Sequence, residues 1–402
     1  MKGKKFKKLT SLAVTTAMAV TMMTSVVSAD VTYTPVGGDD TSISFEKYLI
    51  LPKEANVPTV SFDFDIEGGD AVEGSDSTLA VYSGEDSNKV VGSPSIDTVD
   101  FSNSDTTVYD TKQGDDTVTL ASDQKYDVQV VPIKFSGVSF KEPGVYRYTI
   151  SETNTIMPGL TCDSTQKTLD VYVEEAGSNT LTIAGTVLYD SVVTDAPAKD
   201  GTGITGKVTG FTNTYDAHDL TIAKEVAGNQ ASRDEYFQFR VEISNAAPNS
   251  TYTVDLTDAD ATTSVNGINT TALTNSDSFT TDSVGEAVYT CWLQGGQSVV
   301  IKGLSDSATY TVSEDADTVA KEGYTVSIEK NGDTDVTVSG VEASDTSTGI
   351  KDDTDITYTN TKNGVIPTGI ILSVAGLLVV GIIAVIGFVF FGIRSKKRYD
   401  ED

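Results

Sequence analysis

The sequence predicts an all-β protein with two tandem β-sandwiches, a targeting segment before them and a membrane span after them. Three observations support this prediction. Between residues 30 and 362, short alternating runs of apolar and polar residues are separated by Gly, Asn and Asp clusters. This pattern is typical of antiparallel strands that bury one face. A set of three motifs also occurs twice, and a body of about 330 residues suits two such domains.

The N-terminal segment, residues 1–29, has the layout of a secretory signal peptide. Several lysines precede an apolar stretch from Leu9 to Val27, and Val27-Ser28-Ala29 provides the small residues of a cleavage site. The chain is therefore predicted to be exported, and this segment is excluded from the fold.

The C-terminal segment predicts a membrane anchor. Residues 370–393 are uninterruptedly apolar, long enough to cross a hydrocarbon core of about 30 Å with some tilt. The basic tail that follows, residues 394–402, is expected to remain in the cytoplasm. The body of the protein is then exported and tethered at its C-terminus.

Composition excludes several functions. The chain has 58 acidic and 28 basic residues and a formal net charge of −30, which would repel the phosphate backbone of a nucleic acid. The acidic loop at 331–335 lacks the closing Glu of a twelve-residue calcium loop, so we expect solvated loops and no metal or cofactor. The chain has one histidine and no Gly-x-Ser-x-Gly motif, so the sequence offers no candidate site for repeated catalytic turnover. We therefore expect that the protein is not an enzyme.

The two cysteines, Cys162 and Cys291, lie one in each predicted domain, and we expect both to be reduced and buried. An alternative is a Cys–Gln thioester, because Cys291-Trp292 resembles the Cys-Trp pair of thioester adhesins. The neighbours of Cys291 have the pattern of an ordinary strand, which favours the first interpretation.

The internal repeat sets the domain boundary. Three motifs recur in order: SISFEKYL and DLTIAKEV, GVYRYTISE and SATYTVSE, GFTNTY and ITYTNT. The break is predicted near residues 216–219, giving an N-terminal domain at 30–216 and a C-terminal domain at 217–362 joined by a short linker. Each domain then contains a Lys, a Glu and an Asn in the same order.

Each polar member of the repeat lies on an apolar strand face, since side chains two residues apart point the same way. The six predicted faces are Ile43-Phe45-Lys47-Leu49, Tyr146-Tyr148-Ile150-Glu152, Phe211-Asn213-Tyr215, Leu220-Ile222-Lys224-Val226, Tyr310-Val312-Glu314 and Ile356-Tyr358-Asn360. The polar residues are therefore predicted to point into the sandwiches.

Burial of these groups favours a reaction between them. An unpaired buried charge is costly, and burial lowers the pKa of a lysine and raises that of a glutamate. A neutral amine is a nucleophile, and a protonated carboxyl can polarise an amide and shuttle protons. Lys47 is predicted to attack the side-chain amide of Asn213 with help from Glu152, release ammonia and form an isopeptide bond.

The same prediction holds for Lys224, Asn360 and the assisting Glu314. The alternative is a buried Lys–Glu ion pair beside a hydrogen-bonded Asn, with no reaction. Two copies of the same triad on core faces favour the bond.

These motifs carry a resemblance to a known family. A Lys near the domain start, KEPGVYRYTISE or GGQSVVIKGLSDSATYTVSE in the middle, and a Thr-Asn-Thr close to the end resemble the pilin isopeptide-linkage domains of Gram-positive bacteria. The resemblance covers residues 32–362. It implies inverse-immunoglobulin sandwiches of the CnaB type, with autocatalytic Lys–Asn bonds joining the first and last strands of each domain.

The segment at 363–369 resembles a sortase signal. Val-Ile-Pro-Thr-Gly at 365–369 precedes the apolar span and the basic tail, and a sortase would cleave between Thr368 and Gly369. The commonest form is Leu-Pro-x-Thr-Gly, so the variant leaves the sortase class open. Related pilins accept the threonine on a lysine near the end of the first domain, which implies Lys207, with Lys199 as runner-up. Lys207 shares sequence parity with Phe211, which counts against its exposure if that strand is regular.

The sequence therefore predicts the shaft subunit of a covalent surface pilus. The predicted partners are a pilus or housekeeping sortase, other copies of the chain joined head to tail, and also minor pilins and host ligands. The predicted location is the cell surface, in a pilus or on the cell wall, after a transient membrane-anchored precursor. The alternative is a wall-anchored adhesin or stalk that does not polymerise.

Overall fold

The computed structural model describes residues 43–153, 155–202, 204–257, 275–315, 319, 323–332, 342–345 and 349–364. These residues form 26 β-strands, and two sandwiches follow one another along the chain. The prediction of an all-β fold with two tandem sandwiches is confirmed. In the part of the chain that is described, no helix is long and apolar enough to cross a bilayer.

The N-terminal sandwich contains sixteen strands. They are β1 (Ile43–Pro52), β2 (Val60–Phe62), β3 (Phe64–Gly68), β4 (Val81–Ser83), β5 (Val90–Val91), β6 (Ser95–Ile96), β7 (Val99–Phe101), β8 (Val108–Tyr109), β9 (Gln124–Lys134), β10 (Ser139–Phe140), β11 (Gly144–Glu152), β12 (Leu160–Thr161), β13 (Lys167–Glu175), β14 (Leu181–Tyr189), β15 (Lys207–Val208) and β16 (Gly210–Tyr215). One sheet has the order β12-β16-β1-β9-β6, and the facing sheet has the order β15-β14-β13-β11-β3. Strand β8 adds to β9, β4 adds to β11, and β2–β7 and β5–β10 form small ribbons.

The C-terminal sandwich contains ten strands. They are β17 (Ala217–Ala227), β18 (Phe237–Ser244), β19 (Thr251–Thr257), β20 (Ser278–Thr280), β21 (Ala287–Leu293), β22 (Ser298–Ser305), β23 (Thr309–Glu314), β24 (Thr325–Lys330), β25 (Glu342–Asp345) and β26 (Thr354–Thr361). One sheet has the order β20-β19-β22-β17-β26-β24, and the other has the order β21-β18-β23-β25. A single residue, Asp216, separates β16 from β17.

In each sandwich the first strand pairs with the last strand in parallel. Lys47 of β1 is opposite Phe211 of β16, and Asn213 is opposite Leu49. Gly210 permits this approach, because a Cβ atom there would lie 1.6 Å from the carbonyl oxygen of Glu46.

The C-terminal sandwich repeats this register. Lys224 of β17 is opposite Tyr358 of β26, and Asn360 is opposite Val226. In both sandwiches the Asn therefore lies opposite the residue two positions after the Lys.

Alternation along the strands produces the cores. Strand β18 has the burial order of a half-buried strand, with Phe237, Phe239, Val241 and Ile243 inside and the residues between them more exposed. Each sandwich encloses its own large apolar cluster, and a smaller cluster around Tyr48 and Tyr126 covers the outer face of β1 and β9. Apolar side chains therefore cover β1 on both its inner and its outer face.

A buried ion pair fixes the loop between β14 and β15. Arg147 on β11 is 1% exposed, and its Nε and Nη2 donate to the two carboxylate oxygens of Asp170 on β13 at 2.7 and 2.8 Å. The guanidinium also donates to the carbonyl oxygens of Val193 and Asp195 at 2.9 and 3.1 Å. This loop leads directly to Lys207.

The two sandwiches contact one another beside the one-residue connection. Asn56 Nδ2 donates to the carbonyl oxygen of Thr251 and to Thr253 Oγ1, both at 2.9 Å. The backbone amide of Asp306 donates to the carbonyl oxygen of Asp216 at 3.0 Å. Hydrogen bonds on both sides of the connection therefore restrict hinge motion at Asp216.

Replacing Arg147 with Met is expected to destabilise the N-terminal sandwich by about 3–5 kcal/mol, because Asp170 would remain as an unpaired buried charge. Calorimetric unfolding measures the loss. Replacing Lys89 with Met is the control, because its ion pair with Glu142 is partly exposed and worth at most about 1 kcal/mol. Equal losses in the two variants would contradict this account of Arg147.

Candidate functional site

The first candidate site lies between the two sheets of the N-terminal sandwich. Lys47 and Asn213 project from the adjacent parallel strands β1 and β16, and Glu152 projects from the end of β11 in the facing sheet. Lys47 Nζ lies 2.5 Å from Glu152 Oε2, and Asn213 Nδ2 donates to Glu152 Oε1 at 2.5 Å. The carboxyl group of Glu152 thus connects the amine to the amide.

The second candidate site has the same architecture in the C-terminal sandwich. Lys224 and Asn360 project from the parallel strands β17 and β26, and Glu314 projects from the end of β23 in the other sheet. Lys224 Nζ lies 2.9 Å from Glu314 Oε1, and Asn360 Nδ2 donates to the same oxygen at 2.7 Å. Here a single oxygen of Glu314 contacts both the lysine amine and the asparagine amide. In the first site, each of these groups contacts a different oxygen of Glu152.

All six side chains are buried, as their strand faces predict. The two lysines and two asparagines are 0% exposed, and the glutamates are 8% and 3% exposed. Aromatic rings surround the amines: Lys47 Nζ lies 4.6 Å from the ring centre of Phe62, and Lys224 Nζ lies 4.4 Å from that of Phe237. The amines therefore lie in a largely apolar environment with a carboxyl group as their ionic partner.

This environment shifts the pKa values toward the neutral forms. Burial lowers the pKa of Lys47 to about 8, although Glu152 acts in the opposite direction. Burial likewise lowers the pKa of Lys224 to about 8 against the influence of Glu314. The pKa of Glu314 is raised by its burial, despite its contacts with Lys224 and Asn360. Roughly a tenth of either amine would be neutral at pH 7, far more than for an exposed lysine.

The arrangement brings together a nucleophile, an electrophile and a proton carrier. Each amine and each side-chain amide contacts the same carboxyl group, which can accept a proton from the attacking nitrogen and deliver one to the leaving nitrogen. The geometry is therefore suited to one acyl transfer within each sandwich.

The structure places both candidate acceptor lysines on the surface. Lys207 is exposed, and β15 and β16 belong to different sheets, so the regular strand that the parity argument with Phe211 required does not exist here. Lys199 is also exposed, but its Nζ donates to the carbonyl oxygens of Ser75 and Asp76 at 2.8 and 3.2 Å.

The cysteines are both free. Cys291 is buried, and burial raises the pKa of its thiol to about 12, which disfavours the thiolate that forms a thioester. Cys162 is only half-buried, so the expectation of full burial was wrong for this residue. It directly follows β12, the short edge strand that pairs with Thr214 and Tyr215 next to Asn213.

Some predicted features lie outside the described residues. These are the signal peptide, the sortase motif with Thr368 and Gly369, the membrane span and the basic tail. Part of the acidic loop at 331–335 also lies outside them. Within the residues that the structure does describe, no group of three or more His, Cys, Asp and Glu side chains is placed to hold a metal ion.

Sequence reasoning missed two groups in the N-terminal sandwich, of which only the second contacts the first site. Arg147 reads as one polar residue of an alternating strand, and nothing in the sequence indicates its contacts with a distant loop. The backbone amide of Asp163 donates to Asn213 Oδ1 at 2.7 Å, and a main-chain donor leaves no signal in residue identity.

Comparison with known proteins relates each sandwich to a domain family. Residues 43–216 match the family described as the Spy0128-like isopeptide-containing domain. Residues 218–362 match a domain of unknown function, DUF7601. The chain is 27% identical over 354 residues to a pilin of Streptococcus pyogenes serotype M1, covering 87% of this chain and 88% of that protein.

The matched domain family and the pilin relative support a Gram-positive major pilin. The first sandwich of the chain is the isopeptide-containing domain, and its relatives are structural proteins rather than enzymes. Two solved structures are also similar. A major pilin of S. pyogenes has 22% identity and a TM-score of 0.48, covering 81% of this pilin and 100% of that chain. One from S. pyogenes serotype GAS13637 has 20% identity and a TM-score of 0.46, covering 79% and 98%. At this low similarity, the two structures do not indicate which residues of this chain are functional.

The pKa of Lys224 predicts an unusual pH dependence once the bond partner is removed. In an Asn360→Ala variant the amine stays buried, with a pKa of about 8 when folded and 10.5 when unfolded. The unfolded state then binds more protons between these pH values. The free energy of unfolding should therefore rise from pH 8 to 10.5, by about 3 kcal/mol relative to a variant without the ionisable pair.

The sole tryptophan, Trp292, lies on β21 of this sandwich and reports its urea unfolding by fluorescence. The control is Asn360→Ala/Lys224→Met/Glu314→Gln, in which the tyrosines titrate equally but the triad does not. If the difference in free energy of unfolding between the two variants stays constant from pH 8 to 10.5, the buried amine of low pKa is contradicted.

Proposed function

We propose that Lys47 forms an isopeptide bond with Asn213, and Lys224 with Asn360, in the shaft subunit of a covalent surface pilus. One observation carries the proposal. In each sandwich a buried lysine amine contacts a carboxyl oxygen, at 2.5 or 2.9 Å, and that carboxyl group also accepts a hydrogen bond from the Asn side chain. The glutamates, Glu152 and Glu314, are the assisting acids.

The reaction balances without a cofactor. The neutral amine of the lysine forms a bond to the Asn Cγ atom, and the carboxyl group takes a proton from the attacking nitrogen. The Cγ–Nδ2 bond then breaks, the carboxyl group delivers the proton to the departing Nδ2 atom, and ammonia leaves. The product amide carries no charge, so most of the cost of burying the lysine disappears.

The bonds also support a mechanical role. They would join the first strand of each sandwich to the last. In the proposed polymer, tension would enter at Lys207 and leave through Thr368, so it would follow residues 207–224 and then the Lys224–Asn360 bond, which bypasses the segment between those two residues. The Lys47–Asn213 bond would fasten the strand that follows the entry point to β1. Closing loops of this length stabilises each fold by about 5 kcal/mol in the chain-entropy model.

The same proposal includes the domain division, with residues 30–216 and 217–362 folding as two domains. Each domain has a large apolar cluster of its own, with Ala217 and Ala247 as the only described residues of the second domain that pack into the first cluster, and one residue connects the two domains. Each domain then has its own covalent bond.

Pilins polymerise with other pilin subunits into a cell-surface pilus, and we infer how this subunit is joined. A sortase would cleave between Thr368 and Gly369 and transfer the threonine to Lys207 of another copy. Both lysines are exposed, but the Lys199 amine donates to the carbonyl oxygens of Ser75 and Asp76, which supports the selection of Lys207. The predicted signal peptide and membrane span would supply a transient anchored precursor, and a housekeeping sortase and minor pilins would complete the wall-attached fibre.

The intramolecular bonds are tested by the intact mass of residues 30–369 produced without the two hydrophobic ends. The expected mass is lower than that of the unmodified chain by two molecules of ammonia. Glu152→Ala and Glu314→Ala should each restore one of them, because the proton carrier is lost. Glu142→Ala, outside both triads, is the control and should retain the full deficit. A parent chain of unmodified mass would end the proposal.

The intermolecular linkage is tested on denaturing gels of cell-wall extracts. A ladder of high-mass species is expected from the parent chain, and Lys207→Arg should abolish it because guanidinium is a poor nucleophile. Lys199→Arg is the matched control and should leave the ladder intact. The reverse result would assign the linkage to Lys199, and a single anchored band in the parent would favour a non-polymerised adhesin.

A further inference from the structure

The two sites differ at the carbonyl oxygen of the asparagine. In the N-terminal sandwich, Asn213 Oδ1 accepts a hydrogen bond from the backbone amide of Asp163 at 2.7 Å. In the C-terminal sandwich, Asn360 Oδ1 is buried and has no hydrogen-bond donor among the residues that the structure describes. The first site therefore holds a group beyond the triad that the second site does not show.

The backbone around Asp163 explains why its amide points at the site. Strand β12 pairs antiparallel with β16, with Leu160 opposite Tyr215 and Thr161 opposite Thr214. The chain leaves this ladder at Cys162, and the next amide donates to the side chain of Asn213 instead of to a main-chain carbonyl. A short edge strand thus ends directly over the amide that the lysine would attack.

The side chain of Asp163 fixes this turn in place. Its Oδ1 accepts a hydrogen bond from the backbone amide of Thr165 at 3.0 Å, and its Oδ2 lies 3.1 Å from Lys167 Nζ. Lys167 is buried in turn, with its amine 4.9 Å from the ring centre of Phe211. Although burial opposes it, these contacts hold the pKa of Asp163 below its usual value, so the carboxylate remains an acceptor.

The position of this donor matches a chemical requirement of amide exchange. When a lysine nitrogen bonds to Cγ, the electrons of the C=O bond move onto Oδ1, which becomes an oxyanion in the tetrahedral intermediate. A fixed N–H group at hydrogen-bond distance stabilises that charge, and the effect is large in a site from which water is excluded. In the ground state the same bond polarises the carbonyl and makes Cγ more electrophilic.

We propose that the backbone amide of Asp163 is an oxyanion donor for bond formation between Lys47 and Asn213. Glu152 handles the protons on the nitrogen side of the amide, and Asp163 stabilises the oxygen side. The inference rests on the proposed isopeptide bonds and adds a catalytic group to the first of them. Since the donor belongs to the main chain, any residue except proline can supply it at position 163 as long as the turn keeps its position.

The test is to remove the N–H group alone. Cell-free synthesis of the full chain in detergent can incorporate the α-hydroxy analogue of Asp at position 163, which replaces the backbone amide by an ester and keeps the carboxylate. Samples are stopped with denaturant over time, and the two cross-linked peptides are quantified by mass spectrometry. The Lys224–Asn360 bond forms in the same molecule and serves as an internal clock.

An ester at Thr165 is the matched control. It removes a hydrogen bond to Asp163 Oδ1 and loosens the same turn, but it leaves the donor to Asn213 intact. The ester at 163 is expected to slow the first bond by about 100-fold relative to the second, and the ester at 165 by less than about tenfold. Equal effects of the two esters, or no effect of the ester at 163, would overturn the proposal.

A second pair of variants uses ordinary residues. Asp163→Ala and Asp163→Pro both lose the carboxylate, but only the proline loses the N–H group. The first bond should form much more slowly in the proline variant than in the alanine variant, and equal rates would overturn the proposal. Failure of the isopeptide proposal itself is distinguishable, because the parent chain would then yield no Lys47–Asn213 cross-linked peptide at any time.

Discussion

Burial of a lysine amine beside a carboxyl group in an apolar core is the interaction on which the rest of this structure depends. Burying the two charges costs desolvation free energy, and replacing such a pair with well-packed apolar residues is often neutral or stabilising. The sequence nevertheless places such a pair in both sandwiches, each next to an asparagine, with the lysines and asparagines fully buried. What is costly as an ion pair is favourable as a neutral amide, so the cores are consistent with a reacted product.

The sheet topology turns that local chemistry into a mechanical element. Because the first and last strands of each sandwich are parallel neighbours, one Lys–Asn bond would connect the strand where the chain enters the fold to the strand where it leaves. The register is the same in both sandwiches, with Asn213 opposite Leu49 and Asn360 opposite Val226. Because Asp216 alone separates β16 from β17, only residues 214–223 lie between Asn213 and Lys224 along the chain.

Two irregular segments of the N-terminal sandwich are held by hydrogen bonds, one before Lys207 and one beside Asn213. A buried guanidinium, Arg147, secures the loop that precedes Lys207, and the turn after β12 secures the amide of Asn213. Both devices use main-chain groups of irregular segments as hydrogen-bond partners. These hydrogen bonds provide partners for backbone groups that lie outside the strand ladders.

The sequence by itself determined the fold class and the inward direction of the triads, since period-two alternation states which face of a strand is apolar. The repeat also specified that Lys, Glu and Asn occur together twice. The exposure of Lys207 was decided by a change of sheet between β15 and β16, which breaks the parity that a regular strand would keep. The contact of Asp163 with Asn213 and the anchoring of a distant loop by Arg147 were likewise decided only by tertiary structure. Main-chain donors carry no residue identity, and partners far apart in sequence are selected by packing rather than by any local pattern.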